Sequence, residues 1–349
     1  MEFADRLLSV SADQLNMLRD KVCPASALGK VQKILIRKFK ENKISVEAML
    51  QWLDGFEERM VTMEAEKDKA SRENWMKTLG LVCTLFDARC VQYVLIKALN
   101  HPWAMATDLD FLILDPPNEL RALETLHEEG YSFFGFRLLA HPLKIMSVGE
   151  EEGDTRIQID FYPEPEWIRK KVCDTEVIFS RKRVSKMGVA NVFVPSPEDS
   201  LYLVSTHAYS HLAITFAEMM HGLNTINEDF DWEYLSNLAN NYGTMDAVYQ
   251  YVKILDVYSL KYRQSDSLIN QDFLKKCERN RICREIKSRI EKPSPSLTFP
   301  IEIPGWIGCV YSSLYHTKAM FGHMPFGDLI YDFASHYLAL ASKAIMGKA

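Results

Sequence analysis

The chain has 349 residues, 47% hydrophobic and 25% charged, which is enough for roughly two or three domains with hydrophobic cores. Its 47 acidic and 41 basic residues leave a net charge of −6, so it lacks the overall positive charge of a dedicated nucleic-acid-binding protein. Its seven cysteines are irregularly spaced and form no CxxC pair. This pattern favours free thiols in a reducing compartment over a disulfide framework or a zinc site.

The amino-terminal residues predict no targeting segment. They begin MEFADRLLSVSADQ, with acidic residues where a signal peptide needs basic ones, and no apolar run follows. The sequence contains no run of about 18 uninterrupted apolar residues, so we also expect no membrane span. These features predict a cytoplasmic protein with no membrane partner.

The first part of the chain is predicted to be helical. Apolar residues recur at helical spacing from residue 9 to about residue 86, and residues 11–14 have the form of a capping box. Residues 57–72 are crowded with charge, which is typical of a solvated helix face. We therefore predict an N-terminal helical region over residues 1–88.

Residues 89–195 have a different pattern, with short apolar runs that predict strands. The predicted strands are 91–95, 108–114, 144–148, 156–162 and 192–194. Between the second and third, Asn118 is predicted to cap a helix with Leu120, Leu123 and Leu126 on one side, closed by Gly130. This segment is predicted to be a small α/β unit.

Helical spacing returns after this unit. The predicted helices are 198–217, 232–242, 245–260 and 271–290, which together make a helical domain over residues 196–291. Residues 292–304 contain four prolines, and the segment after them is apolar and aromatic. Residues 292–349 are therefore predicted to form a proline-rich strap and a helical tail.

Two aspartates on the second predicted strand are the first candidate site residues. Asp108 and Asp110 are separated by one residue, so on a strand both side chains point to the same side, opposite Leu109 and Phe111. Carboxylates so close repel each other and raise each other's pKa unless a cation lies between them. Magnesium prefers oxygen ligands and commonly uses one or two carboxylates together with phosphate.

A third aspartate, Asp160, lies on a later predicted strand between Ile159 and Phe161. If the two strands are neighbours, Asp160 completes a three-carboxylate cluster of the kind that serves phosphoryl or nucleotidyl transfer. The third carboxylate is also a candidate to take the proton from an attacking hydroxyl. The alternative for the two aspartates of the DxD pair is solvent-facing acid next to a turn.

These motifs, in this order, resemble the polymerase-beta-type nucleotidyltransferase superfamily. The likeness is greatest to the uncharacterised nucleotidyltransferase-like family and more distant to the abortive-infection nucleotidyltransferases. Residues 107–113 resemble its metal-binding strand, and Lys97 matches the lysine that ends its preceding strand segment. Gly130 with Tyr131 resembles its helix-ending glycine and aromatic step.

The resemblance continues downstream and covers roughly residues 75 to 260. Residues 194–201, followed by His207 and His211, resemble the family's helix start with its proline, acid and histidines. Residues 229–243 resemble its next helical segment.

The resemblance implies an α+β fold, in which a small mixed-sheet nucleotidyltransferase core is flanked by N-terminal and C-terminal helical regions. It implies a metal-dependent enzyme that moves an NMP from an NTP to a hydroxyl acceptor with release of pyrophosphate. The acceptor is a protein, an RNA or a small molecule, and the cofactor is Mg²⁺, with Mn²⁺ as a substitute. By the same resemblance, the metal ligands and catalytic groups are Asp108, Asp110 and Asp160. The residues that contact the nucleotide are Lys97, Thr107 and His207.

The sequence also departs from the superfamily pattern. Glycine-containing pairs usually stand where this chain has the residues 97–100, Lys-Ala-Leu-Asn, and those glycines let the backbone approach nucleotide phosphates. The departure keeps open an alternative, a catalytically weak nucleotidyltransferase-like binding or regulatory module. Phosphate-ester hydrolysis at the same cluster is a third alternative.

Two further groups are weaker candidates. His207 and His211 have the i, i+4 spacing of helical metal ligands, but helix packing is the favoured interpretation because no HExxH motif is present. Basic residues cluster at 169–171 and 181–183, with Lys186 nearby. Such clusters are usually solvated surface, and the alternative is a surface that guides an anionic acceptor.

Overall fold

The computed structural model describes residues 36, 40, 43–47, 59–98, 104, 108–134, 143–147, 157–167, 170–188, 190–210, 213–263, 269–278 and 299–300. In these residues, helices precede and follow a five-stranded sheet, so the predicted mixed α+β class is confirmed. None of the helices described has the length and apolar character that crossing a membrane requires.

The helices are α1 (Arg59–Ala88), α2 (Pro116–Glu128), α3 (Thr175–Ser180), α4 (Pro197–Ser210), α5 (Phe216–Thr225), α6 (Trp232–Asn241), α7 (Met245–Arg263) and α8 (Gln271–Cys277). The strands are β1 (Tyr93–Ile96), β2 (Asp108–Ile113), β3 (Tyr131–Phe134), β4 (Leu143–Ser147), β5 (Gln158–Tyr162), β6 (Glu166–Trp167), β7 (Lys170–Lys171), β8 (Arg183–Met187), β9 (Ala190–Val194), β10 (Ala213–Ile214) and β11 (Phe299–Pro300). Each of the five predicted strands is present, with ends shifted by two residues or fewer.

The central sheet has the strand order β1-β2-β5-β4-β3. Strands β2 and β5 are parallel neighbours, and the other pairs in this sheet are antiparallel. In the parallel pair, Asp108 is in register with Gln158 and Asp110 with Asp160. Because residues in register on neighbouring strands point to the same face, this pairing brings the acidic positions of two distant segments together.

The sheet separates two hydrophobic cores. Leu109 and Phe111 of β2, with Phe161 of β5, pack with α1 and α2 in one core. Leu112 of β2 and Tyr162 of β5 belong to the other core, which contains buried residues of α4 to α8. Since side chains alternate along a strand, Asp110 and Asp160 lie on the same face as Leu112 and Tyr162. The acidic positions therefore face the helical side of the sheet.

Helix α2 differs from its prediction at its first turn. Asp115, and not Asn118, is the N-cap, since the Asp115 side chain accepts a hydrogen bond from the Asn118 backbone N–H at 2.8 Å. Asn118 is buried and accepts a hydrogen bond from the Gln92 backbone N–H. Leu120, predicted to face inward, is 57% exposed, and Leu126 is buried. Gly130 ends the helical segment with φ at 83°, as its type predicts.

The predicted single helix over residues 198–217 is wrong. The chain forms two helices, α4 and α5, because Thr215 begins a new one with a reciprocal capping box. The Thr215 hydroxyl accepts from the Glu218 N–H, and the Glu218 carboxylate accepts from the Thr215 N–H at 2.8 Å. Just before Thr215, β10 pairs with β11 of the predicted proline-rich strap.

Strands β3 and β8 were not predicted. Strand β3 follows α2 directly and pairs with β4, and β8 forms a hairpin with β9 around Gly188, whose φ is 60°. Helix α8 ends at Cys277, and the rest of the helix predicted over 271–290 lies outside the described residues. The same holds for the capping box at residues 11–14 and for the aromatic tail.

Candidate metal centre

Three aspartates meet where β2 and β5 lie side by side. Asp108 and Asp110 occupy alternate positions of β2, and Asp160 is the register partner of Asp110 on β5. One carboxylate oxygen of each lies within 4.8 Å of one oxygen of the other two. We call these residues the acidic triad. The alternation along β2 predicts that Asp108 and Asp110 share one face. The parallel pairing of β2 with β5 adds Asp160 to that face.

The acidic triad is largely shielded from water. Asp110 and Asp160 are buried, with relative exposures of 7% and 3%, and Asp108 at the start of β2 is partly exposed. Because buried carboxylates that lie together repel one another, a nearby positive charge stabilises their ionised forms. Asp108 is the member through which solvent has most access to the triad.

Lys97 provides one positive charge within the protein itself. Its ammonium Nζ lies 2.7 Å from Asp110 Oδ1 and donates a hydrogen bond to the Tyr162 hydroxyl at 2.9 Å. It also lies 4.6 Å from the centre of the Tyr162 ring, within the range of a cation–π contact. Lys97 directly follows β1, whose last residue, Ile96, is in register with Asp110. The end of β1 thus brings the lysine to the aspartate.

The backbone at Lys97 has a left-handed conformation, with φ at 56°. Such a conformation costs a non-glycine residue about 1–2 kcal/mol, so it persists only where the surroundings enforce it. Lys97 is the first of residues 97–100, where the superfamily that the sequence resembles usually has glycine-containing pairs. The chain therefore adopts a glycine-like backbone turn there and keeps a charged side chain.

Three side chains that were not predicted support the acidic triad. Gln158 Nε2 donates to Asp160 Oδ1 at 2.6 Å, and Trp75 Nε1 of α1 donates to the Asp108 backbone carbonyl at 2.8 Å. Tyr162 is a partner of both Lys97 and Asp110. Gln158 and Tyr162 are two residues either side of Asp160, so strand alternation was a signal for both. Trp75 comes from another element, and nothing in its local sequence indicates the contact.

Burial and charge act in opposite directions on Asp110. Burial raises the pKa of this carboxyl, neighbouring Asp108 raises it further, and Lys97 and Tyr162 act to lower it. The pKa of the Tyr162 hydroxyl is raised above its usual range by burial and by the carboxylates of Asp110 and Asp160. Tyr162 therefore stays protonated and serves as a hydrogen-bonding group.

The donor set fits a hard divalent cation. It consists of carboxylate oxygens, which Mg²⁺, Mn²⁺ and Ca²⁺ prefer, and contains no thiolate or imidazole. Among the residues described, these three aspartates are the group of His, Cys, Asp or Glu side chains close enough together to hold a metal ion. The chemistry indicates a divalent cation without identifying which one.

The remaining predicted site residues are less informative. Thr107 and His211 lie outside the described residues. His207, on α4, faces Glu218 of α5, with 3.9 Å between His207 Nδ1 and Glu218 Oε1. Glu218 also binds Lys43 Nζ at 3.2 Å. This setting agrees with the helix-packing interpretation of His207, and a nucleotide contact there remains a prediction.

Two residues of the second basic cluster are engaged in contacts within the protein. Lys182 Nζ donates to Gln92 Oε1 at 2.9 Å and lies 4.4 Å from the centre of the Phe193 ring. Arg181 Nη2 lies 2.8 Å from Glu198 Oε2. These contacts favour a structural role for both residues over the alternative of guiding an acceptor. Arg169 lies outside the described residues.

Arg181 belongs to a second group of charges, at the start of α4. We call it the helix-start network, and its members are Arg181, Ser196, Glu198, Asp199 and Tyr234. Arg181 lies over the Tyr234 ring, whose hydroxyl donates to Asp199 Oδ1 at 2.7 Å. Ser196 Oγ is within hydrogen-bonding distance of both carboxylates. The Asp231 backbone N–H donates to Glu198 Oε1 at 3.1 Å. Residues 194–201 belong to a motif of the resembled family. In the structure, the helix-start network joins the start of α4 to the start of α6 and to Arg181, in the turn before β8.

Comparison with protein-family models, with curated proteins and with solved structures finds no match to this chain. The fold and the acidic triad together define an α+β protein with a three-carboxylate site on the helical face of its sheet.

Proposed function

We propose that this protein is a metal-dependent nucleotidyltransferase that moves an NMP from an NTP to a hydroxyl acceptor and releases pyrophosphate. The observation that carries the proposal is the acidic triad, with three carboxylates on one face of two parallel strands and oxygens within 4.8 Å of one another. The resemblance of the flanking motifs to the polymerase-beta-type superfamily adds the reaction class.

In this proposal Asp108, Asp110 and Asp160 hold Mg²⁺ or Mn²⁺. When bound, the divalent cation neutralises phosphate charge and orients the donor triphosphate. Asp108 is the partly exposed member and faces the arriving nucleotide, whereas Asp110 and Asp160 are buried and hold the site together. The Trp75 hydrogen bond to the Asp108 carbonyl fixes the start of β2, and with it the direction of the Asp108 side chain.

The acceptor hydroxyl oxygen attacks the α-phosphorus of the NTP, and the bond from that phosphorus to the oxygen bridging to the β-phosphate breaks. Asp160 takes the proton of the attacking hydroxyl, and pyrophosphate leaves with the bonding electron pair. The Gln158 amide, donating to Asp160 Oδ1 at 2.6 Å, restricts the rotation of the carboxylate that accepts the proton. Lys97, Thr107 and His207 remain the proposed nucleotide contacts.

One observation favours the second candidate, a nucleotidyltransferase-like binding or regulatory module. Lys97 forms an ion pair with Asp110 and is followed by Ala98, so two side chains stand where the superfamily that the sequence resembles usually has a glycine-containing pair. A backbone of this kind approaches a triphosphate less closely. The three acids oppose this candidate, because a binding module has no need for a costly group of buried like charges.

The experiment is calorimetric titration of each of the four NTPs, with and without Mg²⁺, into the wild type and the Asp108→Asn variant. We expect Mg²⁺-dependent binding of at least one NTP in the wild type and a loss of about 100-fold or more in Asp108→Asn. Asp229→Asn is the matched control, because Asp229 is an exposed aspartate away from the sheet. The proposal fails if no NTP binds under either condition.

A further inference from the structure

Lys97 is a cation built into the acidic triad. Its ammonium lies 2.7 Å from Asp110 Oδ1, and its side chain is only 12% exposed. The Tyr162 hydroxyl accepts a hydrogen bond from the same ammonium at 2.9 Å. With Asp110 on one side and Tyr162 on the other, the ammonium contacts one of the three carboxylates that the proposed metal ion requires.

The backbone supports this position of the ammonium. Lys97 has φ at 56° and immediately follows Ile96, the register partner of Asp110. The turn at the end of β1 therefore lies beside Asp110. A lysine is an uncommon choice for such a conformation, and a glycine would adopt it without strain. The strained turn thus carries a charge that a glycine would not provide.

We propose that Lys97 acts as an internal counter-ion that competes with the divalent cation for Asp110 and so weakens metal binding in the absence of nucleotide. The proposal rests on the proposed function, because it assumes that the acidic triad binds the metal. Mg²⁺ requires ligand oxygens at about 2.0–2.1 Å, and an ammonium held on the same carboxylate oxygen would repel it. While Lys97 holds Oδ1, that oxygen of Asp110 is occupied by the ammonium and is less available to the metal ion.

The same ion pair stabilises the metal-free site. Without a cation, the carboxylates of Asp108, Asp110 and Asp160 repel one another, and the Lys97 ammonium offsets part of that repulsion. The lysine keeps the three side chains together before the metal arrives. It does so at the expense of metal affinity, and this opposition can be measured.

The test is Mn²⁺ binding to the full chain without nucleotide, measured by electron paramagnetic resonance of free Mn²⁺. Two variants remove the charge in different ways. Lys97→Met keeps the length of the side chain, and Lys97→Gly also relieves the backbone strain, so that one variant remains if the other fails to fold. We expect both to bind Mn²⁺ at least ~10-fold more tightly than the wild type.

The matched control is Lys171→Met. Lys171 is paired with Glu164 and Asp174 outside the acidic triad, so its removal tests the effect of one lost positive charge on the protein as a whole. We expect its Mn²⁺ affinity to equal that of the wild type. An equal gain in Lys171→Met would contradict the proposal, because the effect would then be general electrostatics.

The outcomes separate this proposal from the proposed function. Unchanged or weaker Mn²⁺ binding in the Lys97 variants overturns the proposed competition. The metal site itself still stands if the wild type binds Mn²⁺ and Asp108→Asn does not. Binding that appears only in the Lys97 variants supports the competition and counts against a metal-dependent activity of the wild type. If neither the wild type nor any variant binds Mn²⁺, both proposals fail.

Discussion

The acidic triad and the helix-start network are both groups of buried acids, but they are compensated differently. In the helix-start network, two carboxylates receive an arginine, a tyrosine hydroxyl, a serine hydroxyl and a backbone N–H. In the acidic triad, three carboxylates share one lysine, a glutamine amide and a tyrosine hydroxyl. Two carboxylates with one arginine leave one surplus negative charge in the first group, and three carboxylates with one lysine leave two in the second.

The pKa directions follow this difference at Glu198 but not at Asp199, whose pKa is raised by burial although Tyr234, Ser196 and Arg181 act to lower it. The pKa of Glu198 lies below its ordinary value of 4.5 although burial opposes this, because the Asp231 N–H, Ser196 and Arg181 stabilise the charged form. The pKa of Asp110 is raised, because burial and Asp108 outweigh Lys97 and Tyr162. More hydrogen-bond donors per carboxylate stabilise the helix-start network, and under the proposed function the larger surplus charge of the acidic triad serves to bind a cation.

The largest effect is expected in the helix-start network. Asp199→Ala removes a fully buried carboxylate and leaves Arg181 and Tyr234 without that partner. We expect the free energy of unfolding to fall by about 3 kcal/mol, measured by urea denaturation. Mn²⁺ binding by the folded variant is expected to match that of the wild type.

Asp229→Asn is the control for this change and should alter stability by less than about 0.5 kcal/mol. A loss below about 1 kcal/mol in Asp199→Ala would place the helix-start network among ordinary surface ion pairs. The comparison between the two acid groups would then lose its basis.

The acidic triad should respond in the opposite direction. In metal-free buffer, Asp108→Asn removes a repulsion on Asp110, so we expect the free energy of unfolding to rise by about 0.5–2 kcal/mol. The same substitution is expected to abolish Mg²⁺-dependent NTP binding. Stability gained with binding lost is the signature of a site that keeps surplus charge for function.

The gain should depend on pH, with a sign that follows from Asp110. Its pKa is raised in the folded state above the ordinary value of 3.8. At pH values between the unfolded-state pKa and the folded-state pKa, the folded protein therefore binds more protons than the unfolded chain. Wild-type stability contributed by this carboxyl therefore falls as pH rises through that window. The advantage of Asp108→Asn should be small below pH 3.8 and grow above it, and a constant advantage would contradict this explanation.

A modest effect is expected at Trp75. Trp75→Phe keeps an aromatic ring in the hydrophobic core between α1 and the sheet, and it removes the hydrogen-bond donor to the Asp108 backbone carbonyl. We expect a loss of about 1 kcal/mol in the free energy of unfolding and a weaker Mn²⁺ affinity. An unchanged Mn²⁺ affinity would show that the start of β2 is fixed by the sheet alone.

Much of the candidate site could be predicted from local pattern. Alternation along β2 placed Asp108 and Asp110 on one face, and the same rule gave Asp160 the opposite side from Ile159 and Phe161. The five predicted strands lie within two residues of β1, β2, β4, β5 and β9, because short apolar runs bounded by turn residues are a local signal. The capping box at Thr215 was also local, and it was overlooked inside an apolar stretch.

Other features depended on contacts between segments far apart in the chain. Lys97 and Asp110, Trp75 and Asp108, and Arg181 with Glu198 are contacts that no spacing along the sequence indicates. The departure at residues 97–100 predicts a backbone that approaches nucleotide phosphates less closely. The structure retains a left-handed backbone at Lys97 and adds an ammonium to the acidic triad.

The sequence by itself determined that the chain has a mixed α+β fold and that two carboxylates project together from one strand, because both follow from periodicity. Only the tertiary structure decided that β5 lies parallel to β2 in the register that pairs Asp160 with Asp110, and that Lys97 reaches them. The physical reason is that strand pairing and ion pairing are set by the burial of both sheet faces in two cores. That burial is a property of the whole chain.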